Sequence, residues 1–101
     1  MNVNEENLKD LLVTAVEGGI NYWAMVRKYD PDAGSAVVIE IESSGEGAPI
    51  ERLVTFADLR EPLKRLAAQL GQSPEELFEN HDAATADALV QMVLFGEVIY
   101  A

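Results

Sequence analysis

Carboxylates two positions apart on a strand share one face, and Glu40 and Glu42 in the run SAVVIEIE are such a pair. Two acids so placed offer oxygens to a divalent cation or a landing point to a cationic partner; a solvated sheet face or edge is the plainer account. Asp30 and Asp32 supply too few further oxygens for a calcium loop. His81 and Asp82 would form an acid–base couple only if their side chains converged. Neighbours in sequence rarely do so, and Asp82 is better placed to cap a helix. Glu17, Asn21, Tyr22 and Trp23 gather where a helix gives way to a strand. A carboxylate beside two aromatics makes a binding patch, or simply core and rim. Gln91 is the one polar residue within the apolar run of the last helix. Burial would oblige its amide to bond backbone near the strands. The other use of Gln91 is a small-ligand pocket shared with Glu17 and Tyr22.

Composition removes many chemistries. The chain has 101 residues, no cysteine and one histidine, which excludes disulfides, thiol catalysis, iron–sulfur clusters and multi-histidine metal sites. It contains no phosphate loop, dinucleotide fingerprint, nucleophile elbow or zinc-protease helix. No enzyme activity, cofactor or metal is therefore expected. The apolar run Ala88–Phe95, interrupted by Gln91, is far too short to cross a bilayer. The polar, acidic start resembles neither a signal nor a transit peptide, so a cytoplasmic location is expected.

Charge is the most unusual property. Eighteen acids face seven bases, for a net charge of −11. Direct contact with nucleic acid or an anionic membrane is disfavoured, while a basic protein would be attracted. Residues 1–51 hold ten acids and three bases, and residues 72–101 hold six acids and no base. Between them, residues 52–71 hold four bases and two acids. This basic island is expected to neutralise nearby acids, for example through Glu61 and Arg65 at i,i+4.

These residues must be positioned by a small set of elements. Asn4 caps a helix over 4–17, with Leu8, Leu11, Leu12, Ala15 and Val16 as its apolar stripe. Gly18 and Gly19 are expected to stop it in the left-handed conformation. Residues 20–29 and 35–42 read as a hairpin about the turn Asp30-Pro31-Asp32-Ala33-Gly34. Tyr22, Ala24 and Val26 would then share one face, and Trp23, Met25 and Arg27 the other. Residues 50–55 supply a third strand. Helices follow near 61–70, 74–80 and 83–95, the second announced by the capping box Ser73-Pro74-Glu75-Glu76. The tail, Glu97 to Tyr100, is either an edge strand or a turn on the core. The predicted architecture is one α+β domain over 1–101, a three-stranded antiparallel sheet with helices packed on one face.

Two segments carry a resemblance. Val13–Ala24, reading VTAVEGGINYWA, and Ala86–Tyr100, reading ADALVQMVLFGEVIY, resemble segments of small uncharacterised proteins of actinobacteriophages and actinobacterial genomes. The two cover about a quarter of the chain. The resemblance implies an accessory gene of a phage or mobile element in a bacterial host cell, and assigns no functional residue. Small acidic phage proteins often act by binding, and some imitate the charge of DNA.

The leading expectation is a non-enzymatic module that binds a basic host or phage protein. Glu40, Glu42, Glu46 and Glu51 on the hairpin side, with Glu75, Glu76 and Glu79 on the late helix, are its candidate contacts. The alternative is a homo-oligomer joined through an exposed sheet face bearing Trp23 and Met25. A small-ligand binder using Glu17, Tyr22 and Gln91 is the third.

Overall fold

Asn4 opens the first helix with a reciprocal cap. Asn7 N–H donates to Asn4 Oδ1 at 2.8 Å, and Asn4 N–H returns a bond to Asn7 Oδ1 at 3.0 Å. In the computed structural model, which describes residues 3–41 and 49–100, helix α1 spans Glu5–Thr14. It buries Leu8, Leu11 and Leu12, the stripe its periodicity predicts. The helix then widens instead of stopping. Ala15–Gly19 form one π-type turn, closed by Ile20 N–H on Ala15 O at 3.0 Å. Gly18 and Gly19 are thus helical, not left-handed; among the described residues the glycines at positive φ are Gly34, Gly71 and Gly96.

A second tight turn follows. Trp23 and Ala24 both donate to Ile20 O, at 3.0 and 2.9 Å. The strand therefore begins four residues later than its composition predicts. Strand β1 is Ala24–Asp30, β2 is Ser35–Glu40 and β3 is Glu51–Thr55. They pair antiparallel in the order β1-β2-β3. Lys28, at φ 50°, marks a bulge in β1 between Arg27 and Asp30.

The 3-10 turn Phe56–Leu59 leads into α2, Arg60–Gln69, so Pro62 sits in the helix's first turn, where it removes no internal bond. Helix α3 is Pro74–Glu79, capped by Ser73 and Glu76 as the motif predicts. Helix α4 is Ala83–Phe95, capped by Asp82 and ended by Gly96 at φ 78°. The helices cover one face of the sheet. Ala24, Ala36, Val38 and Val54 point to that face and join Leu8, Leu59, Leu63, Leu89 and Val90 in the core. Among the described residues the tail forms no strand. The fold is α+β as the sequence predicts.

Candidate functional site

Tyr22 and Gln91, two of the three residues singled out as a pocket, meet around one that was not among them. Helix α4 places Asp87 and Gln91 one turn apart on its buried side. The turn after Gly19 brings Tyr22 and Trp23 against them. Tyr22 OH donates to Asp87 Oδ2 at 2.6 Å, and the Trp23 indole N–H donates to Asp87 Oδ1 at 2.7 Å. Gln91 Nε2 adds a third donor to Oδ1 at 2.9 Å. The other end of Gln91 holds the tail. Its Oε1 accepts from Ile99 N–H and Tyr100 N–H, both at 2.8 Å. The Gln91 amide does bond backbone, but that of the tail, not of the strands.

Tyr100 closes the cluster. Its ring stacks on Trp23 with centroids 5.3 Å apart, and its hydroxyl donates to Glu40 Oε2. Glu40 Oε1 accepts from Ile50 N–H at 3.2 Å. Glu40 is therefore enclosed, at 3% exposure, and is neither a solvated strand acid nor a partner contact. Trp23 is enclosed too, at 1% exposure, so it belongs to the core and cannot form part of an exposed sheet face. The cause is the turn at Ile20, which keeps Trp23 off the strand and turns its ring inward.

Among the described residues every buried side-chain nitrogen and oxygen has a hydrogen-bond partner. An open depression of about 330 Å³ lies over Gly18, Gly19, Tyr22, Ala83, Ala84 and Asp87. Burial and the neighbouring Asp87 push the Tyr22 phenol up to about 12, so it stays protonated at physiological pH. Glu17 is exposed on the π-type turn, and its charge acts on Tyr29, whose phenol burial also pushes up. Tyr22 and Gln91 thus meet, through a 3.4 Å bond and Asp87, and neither bonds Glu17.

His81 and Asp82 bond separate partners. His81 Nδ1 lies against Phe78 O, and Nε2 lies 3.2 Å from Thr14 Oγ1. Asp82 accepts from Thr85 N–H at 3.0 Å, and the Thr85 bonds hold its carboxyl below the usual range. Among the described residues no three histidines or acids gather as metal ligands.

The remaining predicted contacts separate. Glu42 and Glu46 lie outside the described residues. Glu51 is exposed on the sheet face away from the helices, since it pairs with Ile39 and alternates with the inward Arg52 and Val54. Glu75, Glu76 and Glu79 stand on α3 in the helical layer, where Glu76 Oε1 also caps Ser73 N–H at 3.1 Å. The acids named from the sequence therefore occupy different sides of the domain.

The bases, by contrast, are engaged. Lys9 pairs with Glu5 at 3.2 Å and Lys64 with Glu61 at 3.5 Å. Arg52, Arg60 and Arg65 donate to the carbonyls of Val93, Val3 and Gly96. The island neutralises nearby acids only in part: Lys64 pairs with Glu61 and Arg52 approaches Asp58 at 3.9 Å, whereas Arg60 and Arg65 bond carbonyls and Arg65 does not pair with Glu61. Arg27 and Lys28 are the bases with no partner among the described residues.

No protein family, curated protein or solved structure matches the chain.

Proposed function

We propose that this chain is a non-enzymatic binding module, carried by a phage or mobile element, that engages a basic protein in a bacterial host cell. One observation carries the reading: five of the seven bases are engaged within the fold, while the net charge is −11. The chain's own cations thus leave most of its acids uncompensated. Glu6, Asp10, Glu17, Glu79 and Glu97 are exposed, with no cationic partner among the described residues. Such a field speeds encounter with a basic surface and weakens steeply with salt. The basic groove of a nucleic-acid-handling protein has the matching chemistry.

Retention of bacterial lysate proteins on the immobilised chain tests this, at about 50 mM and about 500 mM salt. A basic protein should be held at low salt, released at high salt and displaced by duplex DNA. The Glu75→Lys/Glu79→Lys variant, which leaves the Glu76 cap intact, should hold it less. Equal retention at both salts, or retention indifferent to DNA and to the variant, would reject the reading.

A further inference from the structure

The sheet face away from the helices is patterned differently from the rest of the surface. Strand register sets three rows on it. Met25, Ile39 and Glu51 lie side by side in one, Arg27, Val37 and Leu53 in the next, and Asp30, Ser35 and Thr55 in the third. Met25 and Leu53 are 47% and 56% exposed, and Ile41, beyond the first row, is 50% exposed. Three large apolar side chains in water on one face mark an interaction surface. The three rows hold one base, Arg27, and two acids, Glu51 at the corner diagonal to it and Asp30 beyond it, and none has an ionic partner among the described residues. These rows therefore carry a net charge of only −1 on a chain of net charge −11.

A nearly neutral face gives a basic partner little to be attracted by. It is, however, where two copies of an acidic chain can approach with least repulsion. Its corners are also self-complementary. A two-fold axis along the Met25–Leu53 diagonal exchanges the positions of Arg27 and Glu51. We propose that a second copy of this chain covers this face about that axis. Arg27 of each copy then meets Glu51 of the other, Met25 meets Met25, and Leu53 meets Leu53. The strands of the two sheets cross steeply, as in orthogonal sheet packing.

The size of the face sets the strength. Three strands about 4.8 Å apart and about five residues long present a plan area on the order of 250 Å². That is small beside the ~800 Å² per partner of a standard interface, so the dimer is weak and concentration-dependent. The inference uses a different surface from the acids of the helical layer, and stands or falls apart from the basic-partner reading.

Sedimentation equilibrium from about 10 μM to about 2 mM tests it, with circular dichroism confirming that each variant folds. The weight-average mass should climb from 11.0 kDa toward twice that value. Leu53→Lys should abolish the climb. Arg27→Glu and Glu51→Arg should each weaken association about tenfold, by setting like charges opposite each other. The double variant Arg27→Glu/Glu51→Arg should restore it. A mass that stays at 11.0 kDa throughout would overturn the proposal. So would a double variant no better than the singles, which would reduce the association to unspecific apolar contact.

Discussion

The indole N–H of Trp23 donates to Asp87 Oδ1 across 2.7 Å, and the two side chains are only 1% and 8% exposed. This bond ties the turn before β1 to the middle of α4. Gln91 extends it to the tail, and Tyr100 closes back on Trp23 and Glu40. Elements distant in sequence are thus fastened at one polar point inside an apolar core. Such a point fixes geometry more than it adds energy, because each donor gives up water to join it.

Replacing Asp87 should be severe for that reason. Asp87→Ala leaves the indole N–H, the Tyr22 hydroxyl and the Gln91 amide without their shared acceptor. The expected loss is about 3 kcal/mol, seen as a fall of about 15 °C in Tm. Asp87→Asn keeps the volume but turns an amide N–H₂ toward donors, and should recover only part of the loss. Urea titration followed by Trp23 fluorescence measures both.

Tyr22 gives the same contact a spectroscopic signature. Its phenol is pushed up to about 12 by burial and by Asp87, and Tyr29 is also raised. In the unfolded chain both ionise near the ordinary value of about 10. Above that pH the folded state holds more protons than the unfolded one, so stability falls as pH rises from about 10 toward about 12. Ultraviolet titration of phenolate should show Tyr22 ionising well above the ordinary range and, in Asp87→Asn, at lower pH. A Tyr22 titration unmoved by that substitution would disconnect the shift from Asp87.

Tyr100 separates stacking from hydrogen bonding. Tyr100→Phe keeps the ring on Trp23 but withdraws the donor from the enclosed Glu40 carboxylate. A loss of about 1–2 kcal/mol with unchanged indole emission is expected. Tyr100→Ala also uncovers the indole, and should cost about 3 kcal/mol and shift Trp23 emission to the red.

Much of this fold is legible in the chain because its signals are local. The caps at Asn4, Ser73 and Asp82, the Asp30–Gly34 turn and the apolar stripes of α1 and α4 each depend on neighbours within a few residues. The Asp87 cluster depends on contacts more than sixty positions apart, such as 65 for Tyr22 and 64 for Trp23. A lone acid on the otherwise apolar side of α4 was the available signal. Gln91 drew attention for that reason, and Asp87, one turn earlier, met the same test. Glu40 follows alternation, on the buried face with Ala36 and Val38, but alternation misleads at Trp23. A period of two assigns faces only once the strand begins, and the turn at Ile20 delays β1 to Ala24.

The glycine pair offers a contrast that only packing explains. Both residues sit in the π-type turn at ordinary helical φ, so neither is required for a left-handed backbone. A Cβ on Gly18 would meet nothing within 4 Å, whereas one on Gly19 would stand 2.9 Å from Ala83 O and 3.4 Å from Asp87 N. Gly18→Ala should therefore be neutral or stabilise by about 0.5 kcal/mol, by narrowing the unfolded ensemble. Gly19→Ala must push the first turn of α4 away, and should cost about 1–3 kcal/mol. Because that turn leads directly to Asp87, its displacement should also loosen the Trp23 bond and weaken the near-ultraviolet dichroism of the indole. Equal stabilities for the two variants would mean that the close approach of α4 to Gly19 is not a constraint on the fold.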